Sequence, residues 1–399
     1  MYTIDNAEIA VALDADSRCF RAILDFGSFM ITGDDVGRIS INSGSVQDEL
    51  PCIGDVVSAQ AEVIVMGIPD GIKMEGKEFQ LYLYCISPTG IVTTPTTHKQ
   101  LAPASHKLLA KFTHKQISEL DLGGLPFLPI PFGKFTVLKC RKGSDYYTMS
   151  CSDRLHFADK TYRPGINIPA TSNAVAADIS VQLGAGSDLA EGEAAYLLDS
   201  AGRYLLDSTG KRLMLSTWQF DVTSIPSGTT MREMLSYIAA MTGDFVVCDR
   251  RGTIVRRWYL EDGRRTLNLS NDGNSDGTNC RITDFNSGES VVALNKLVCW
   301  TDSSNYISVG SGREMEFKCP YMDRNRLDQL NRTVQPRAYF PVEMIQQLGD
   351  PRIDPWDGWI YDNNGNISTL FMLNMQTVCD GGLMIDISSG GDTETEYGL

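Results

Sequence analysis

The sequence predicts a mainly β chain interrupted by a small α/β unit. Three observations carry this. Before residue 152, about six short runs alternate apolar and polar residues, which is the period of a half-buried strand. After residue 290 a second series of such runs follows. Between them, residues 220–260 switch to helical spacing and then back to two short strands. At roughly 150 residues per domain, a chain of 399 residues has room for two to three domains.

The first run places Phe20, Ala22, Leu24 and Phe26 on one side, with Arg21 and Asp25 on the other. Thr32-Gly33-Asp34-Asp35 has the composition of a turn, and residues 37–42 resume extended structure. Val57, Ala59, Ala61, Val63 and Val65 alternate again, and so do Phe79, Leu81, Leu83 and Cys85. Residues 135–138 and 146–151 complete an antiparallel barrel or sandwich. An insertion at 86–126 breaks this series. Its Pro/Thr-rich start leads into a basic amphipathic helix at 106–119, HKLLAKFTHKQISE, which is either a docking surface or a solvated face.

Residues 163–192 are rich in Ala, Ser and Gly and weakly patterned, so they are read as a connection without an element of their own. Residues 195–215 repeat one unit, YLLDSAGR and YLLDSTGK, which predicts a short β-meander.

The 220–260 stretch is the most explicit. Thr230 with Glu233 forms a capping box. Met231, Met234, Leu235, Ile238 and Ala239 share a helical face, and Gly243 supplies a left-handed stop. Strands at 245–248 and 253–260 then flank the turn Asp249-Arg250-Arg251-Gly252. Beyond the polar loop 270–279, strands are expected at 291–300, 307, 315–319, 358–361, 371–378 and 383–387. One helix is expected near 324–331, and the tail SSGGDTETEYGL is expected to be loose.

Composition narrows the function. A net charge of −15 disfavours nucleic-acid binding, because phosphate is repelled. The ten cysteines show no CxxC spacing and read as buried, reduced thiols. No signal peptide or membrane-length apolar run is present, so cytosolic synthesis and no membrane anchor are expected. Of the four histidines, His98, His106 and His114 are eight apart, about 80° of drift on a helix, so they share no metal face. His156 has no nucleophile motif beside it.

Asp272-Gly273-Asn274-Ser275-Asp276-Gly277 matches the start of a calcium loop. Thr283 stands where the bidentate Glu belongs, and a plain polar loop is the better reading. The motifs therefore nominate no catalytic, cofactor-binding or metal residue, and the chain is expected not to be an enzyme.

Four stretches together carry a resemblance. The first is Ile31 to Asp35 with the SINSGS strand and Ile53-Gly54-Asp55. The second runs from Pro131 to Val137 into Tyr147 to Lys160. The third is the 220–260 unit. The fourth is Gly349 to Asp357, continuing through 362–365 to Asp380-Gly381-Gly382-Leu383. In order and spacing they resemble the tail hub proteins of bacteriophages and phage-tail-like particles. That family shares its fold with the T-even baseplate hub and the N-terminal part of siphophage tail-associated lysins.

The resemblance implies two tail-tube-like antiparallel β-barrels joined by a small α/β adaptor domain. The divisions are 1–162, 163–278 and 279–390, with a loose tail at 391–399. It further implies a homotrimeric ring in the virion tail, assembled in the host cytoplasm. Such a ring joins a sixfold tail tube or distal tail protein to a threefold spike, fibre or tape-measure protein. DNA would pass through its lumen without specific binding, and the acidic net charge would fit such a lumen. No lytic domain is expected. The rival is a carbohydrate- or receptor-binding β module, which needs clustered tryptophans. The five are scattered at 218, 258, 300, 356 and 359. A cell-wall-degrading enzyme is the third reading.

Overall fold

The computed structural model describes residues 19–44, 50–69, 71–86, 130–188, 220–258, 267–270, 282–333, 338–346, 349–356, 359–363 and 366–392. The insertion helix 106–119, the 195–215 repeat, the 272–277 loop and three of the four histidines lie outside them.

The N-terminal region is built from β1 (Cys19–Asp25), β2 (Met30–Thr32), β3 (Val36–Gly44), β4 (Gln60–Val65), β5 (Glu78–Ile86), β6 (Ile130–Lys142) and β7 (Tyr147–Ser152). They pair in the order β3-β4-β7-β6-β5-β1-β2. Alternation puts Phe20, Leu24, Ile39, Ile41, Val63, Phe79, Leu81, Phe135 and Met149 into one core. The sheet wraps that core without closing. At the gap between β1 and β3, the amide of Phe20 donates to the carbonyl of Gly382, 2.8 Å away, in the C-terminal region.

The middle region adds β8 (Ala170–Thr171), α1 (Ser172–Leu183), β9 (Gly186–Asp188), β10 (Asp221–Val222), α2 (Met231–Thr242), β11 (Phe245–Cys248) and β12 (Thr253–Arg257). The capping box is formed as expected, and Gly243 ends α2 at φ 89°. The helix α1 corrects the expectation of an unpatterned connection. Thr171 caps it, Gly184 stops it at φ 67°, and Val175, Ala176, Ile179 and Leu183 are buried. Its buried face is partly alanine and serine, so the apolar stripe that marks a helix in sequence is faint.

The C-terminal region contains β13 (Leu267–Ser270), β14 (Ile282–Ser287), β15 (Val292–Trp300), β16 (Tyr306–Gly310), β17 (Arg313–Lys318), α3 (Arg324–Thr333), β18 (Ala338–Gln346), β19 (Trp359–Asn363), β20 (Asn366–Asp380) and β21 (Leu383–Asp392). The expected helix near 324–331 is α3. The loose tail is corrected in part. Ser388 to Asp392 are strand, paired with both β18 and β20. Two glycines make this possible. A Cβ on Gly390 would sit 1.9 Å from the carbonyl oxygen of Phe371, and one on Gly391 would sit 2.4 Å from the Phe371 ring. A run that reads as flexible linker is therefore a close approach of two backbones.

Neither of the two expected barrels is closed among the described residues. The chain is mainly β, with large antiparallel sheets, but β20 pairs with β3 from Asn374/Gly44 to Asp380/Arg38. The two β regions thus belong to one 16-stranded sheet.

Candidate assembly surface

The β3–β20 seam extends one face of the sheet across both regions. Along that face the strand order is β14-β18-β21-β20-β3-β4-β7-β6. Registers fix its rows. One runs Asn286, Glu343, Ser389, Asn374, Gly44. The next runs Asp284, Ile345, Ile387, Gln376, Asn42, Gln60. A third runs Ile385, Val378, Ser40, Glu62, Ser150, Lys139. The last holds Asp380, Arg38, Ile64, Thr148 and Arg141.

Amides and hydroxyls dominate the seam. Gln376 donates to Ser40 Oγ at 3.0 Å, and Ser43 Oγ donates to the Met375 carbonyl at 3.4 Å. The opposite side of the same strands is core, with Ile39, Ile41, Met375 and Thr377 buried.

The face ends in two strand edges. Among the described residues β14 pairs only with β18. Among the described residues, Lys139 to Lys142 in the distal half of β6 pair only with β7. The Cys140 amide on its outer side meets the Glu75 carboxylate at 3.3 Å. The β6 edge carries exposed Lys139, Arg141 and Lys142, and the β14 edge carries exposed Asp284.

The middle region clamps the two halves of the sheet. On the N-terminal side, residues 54–57 lie alongside β11. Gly54 N–H donates to the Asp244 carbonyl at 2.7 Å, and Val57 N–H to the Val246 carbonyl at 2.9 Å. Gly54 has φ 84°, and a Cβ there would be 3.0 Å from the Ser236 carbonyl oxygen on α2, so both conformation and space require glycine. Arg232 on α2 donates to Asp159 at 2.6 Å, to the Val56 carbonyl at 2.5 Å and to the Leu155 carbonyl at 2.8 Å.

Asp153 sits under this joint. It accepts from Ser58 Oγ at 2.6 Å, Ala59 N–H at 2.8 Å and Leu155 N–H at 3.0 Å. Burial pushes its carboxyl up to about 6, against the hydrogen bonds and the charge of Arg232, which act to lower it.

On the C-terminal side the clamp is Arg250, in the β11–β12 turn. Its Nε donates to Asp354 at 2.7 Å and one terminal nitrogen to the Ile353 carbonyl at 2.6 Å. The other terminal nitrogen reaches the Pro351 carbonyl. The guanidinium lies over the Phe132 ring, 5.3 Å from its centroid, and the Arg250 carbonyl accepts from Gln80 Nε2 at 2.8 Å. One side chain thus touches the middle turn, β6 and the 349–356 segment. A buried ion pair between Arg352 and Asp350 stiffens that segment, and Asp350 N–H donates to Asp386 at 3.1 Å.

The sequence named Asp153, Arg250 and Asp354 only as parts of motifs or turns. Nothing in their local spacing marks them as a joint, because each partner lies far away in the chain. Asp354 pairs with Arg250, 104 positions earlier in the chain. His156 is exposed. Among the described residues no group of three His, Cys, Asp or Glu side chains is placed to hold a metal. Trp258 and Trp356 are both buried, packed into the core rather than presented to a ligand.

No protein-family model and no curated protein matches the sequence. Solved structures do. The tail protein from Neisseria meningitidis MC58 superposes with a TM-score of 0.53 at 12% identity, over 93% of this chain and 96% of that one. This chain has a phage tail-protein fold. The 43 kDa tail protein of prophage MuSo2 from Shewanella oneidensis aligns at a TM-score of 0.48 and 11% identity, over 93% of this chain and 97% of that one. Prophage tail protein gp18 from Listeria monocytogenes EGD-e aligns at 0.46 and 8%, over 94% and 95%. At such identities the likeness is one of backbone path.

Proposed function

We propose that this chain is a structural hub of a phage tail or phage-tail-like particle, a homotrimeric ring that joins the tail tube to the spike, fibre or tip below it. The observation that carries the reading is the eight-strand face that ends in two strand edges of unlike charge. Each copy offers a basic edge on β6 and an acidic edge on β14, at opposite ends of the same face. Unlike edges meet head to tail, and such contacts close into rings when the rotation allows. Two β regions per chain let three copies present six similar β units to a sixfold tube. The divisions proposed for the chain are the N-terminal β region, the clamp and the C-terminal β region, near the boundaries expected from the sequence.

The face would line the lumen. Its rows hold four carboxylates (Asp284, Glu343, Glu62, Asp380) and three basic groups (Arg38, Lys139, Arg141). The acidic excess of the chain is therefore not concentrated there. In this reading the wall is a nearly balanced one of amides and hydroxyls, which offers DNA neither a cationic groove nor a strong barrier. The chain acts as a scaffold and not as an enzyme in this reading.

Native mass spectrometry together with negative-stain images of the purified chain tests it. Three-copy rings with a central hole are expected, alone or on addition of the tube protein. A monomer that stays monomeric with tube and spike proteins present refutes the hub. Clearing of peptidoglycan in a zymogram refutes the purely structural role.

A further inference from the structure

A hollow of about 990 Å³ lies where the clamp overhangs the seam face. Its floor is sheet: Asn42, Gln60, Asn374 and Gln376, with Ile387 between them. Its wall is Val56 to Ser58, His156 and the Arg232–Asp159 pair, and Asp284 and Glu343 stand at its far side. The volume is at the top of the ~300–1,000 Å³ range of small-molecule sites. The floor spans the strands from β14 to β4, five spacings of about 4.8 Å, or roughly 24 Å.

The lining selects among ligands. A nucleic acid needs several cations for its phosphates, whereas among the described residues the lining holds one arginine, already bonded to Asp159. A sugar is usually held against an aromatic face, and among the described residues the lining has no Phe, Tyr or Trp. Asn and Gln side chains both donate and accept, as a peptide backbone does. Ile387, 42% exposed, gives an apolar footing in the middle. Asp284 and Glu343 are exposed and form no ion pair among the described residues.

We propose that this hollow receives an extended peptide segment of a neighbouring protein, about seven residues at roughly 3.3 Å each, carrying lysine or arginine towards Asp284 and Glu343. The inference rests on the hollow itself and does not require the ring.

The test is fluorescence anisotropy with the full chain and a labelled ten-residue peptide of alternating Lys and Ser, against its Glu/Ser counterpart. A twelve-nucleotide single strand and chitohexaose serve as competitors. The Lys/Ser peptide is expected to bind and the Glu/Ser peptide not. Asp284→Asn with Glu343→Gln should weaken binding roughly fivefold, in line with two exposed ion pairs. Asn374→Trp, an exposed floor position, should abolish it by filling the hollow. Asp302→Asn with Glu314→Gln changes the charge equally at a distant site and should leave binding unchanged.

Equal weakening by the distant pair means general attraction to an acidic chain and overturns the proposal. So does displacement by the oligonucleotide or the sugar, or the absence of any peptide binding. Native mass and ring images of Asn374→Trp, which leaves Asp284 and the β14 edge unchanged, report separately on the hub, so the two readings can fail independently.

Discussion

Removing the Arg250 guanidinium should loosen the whole molecule, because one side chain holds three regions together. In Arg250→Ala the Asp354 carboxylate, 14% exposed, loses the cation 2.7 Å away that neutralises it. The carbonyls of Pro351 and Ile353 lose charge-assisted donors. The Phe132 ring loses its cation. Breaking a largely buried pair by deleting one partner costs about 3–5 kcal/mol. The carbonyl bonds are part of that figure rather than additions to it, since the same group makes all of them. Such a loss is a large share of the ~5–15 kcal/mol that holds a typical domain together.

Urea unfolding of the wild type, Arg250→Ala, Asp354→Ala and Arg250→Ala/Asp354→Ala provides the assay, with hydrogen exchange on residues 349–356 as a local readout. The single variant should lose about 3–5 kcal/mol, and protection of 349–356 should fall first. The double variant should recover part of the loss, because it no longer buries an uncompensated carboxylate. A loss under about 1 kcal/mol, the value of an ordinary surface pair, would refute the clamp. So would a double variant as unstable as the sum of the two singles.

Three other outcomes follow from the same geometry. The Asp153 carboxyl is raised to about 6 in the fold from an unfolded value near 3.9. Its contribution is therefore complete below pH ~4 and is lost as pH rises through about 6, by roughly 3 kcal/mol at 1.36 kcal/mol per unit. Stability measured from pH 4 to 7.5 should show this fall relative to Asp153→Asn, and parallel curves would contradict it. Gly390→Ala should destabilise by about 1–3 kcal/mol and disturb the β20–β21 pairing, read as lost exchange protection at Phe371 to Met375, because the Cβ meets a backbone oxygen. Lys139→Glu with Arg141→Glu should stop ring assembly while leaving the monomer melt within about 0.5 kcal/mol, as exposed changes do. Adding Asp284→Lys should restore some assembly, which native mass would detect.

Local chemistry made much of the fold legible. The capping box at Thr230 and Glu233, the stop at Gly243 and the alternation of β1 and β5 need only neighbours a few residues apart. The helix α3 was placed almost to its ends. The α1 helix was not legible, because alanine and serine fill positions where leucine would have shown the period. Residues 388–392 were read as loose because Ser-Ser-Gly-Gly is ordinary linker composition. Only the approach of the Phe371 backbone reveals why glycine is there. The seam and the clamp were beyond the reach of a local reading. Pairing Asn42 with Gln376, or Arg250 with Asp354, is decided by which surfaces meet after the pieces fold.

The β3–β20 seam has a consequence for how the protein is made. Its partners lie more than 330 positions apart, as in the bonds from Ser43 to Met375 and from Gln376 to Ser40. As the chain leaves the ribosome, the N-terminal sheet has its own core long before β20 exists. During that interval the outer edge of β3 offers unpaired backbone groups, a template for any passing strand. Pairings across such long separations form slowly, and partly folded chains with open edges aggregate. The polar residues of β3, Ser40, Asn42 and Ser43, with charged Arg38, make this edge a poor partner for apolar strands while it waits. The yield of folded protein should thus depend on temperature and chaperones during synthesis more steeply than the finished molecule's stability suggests.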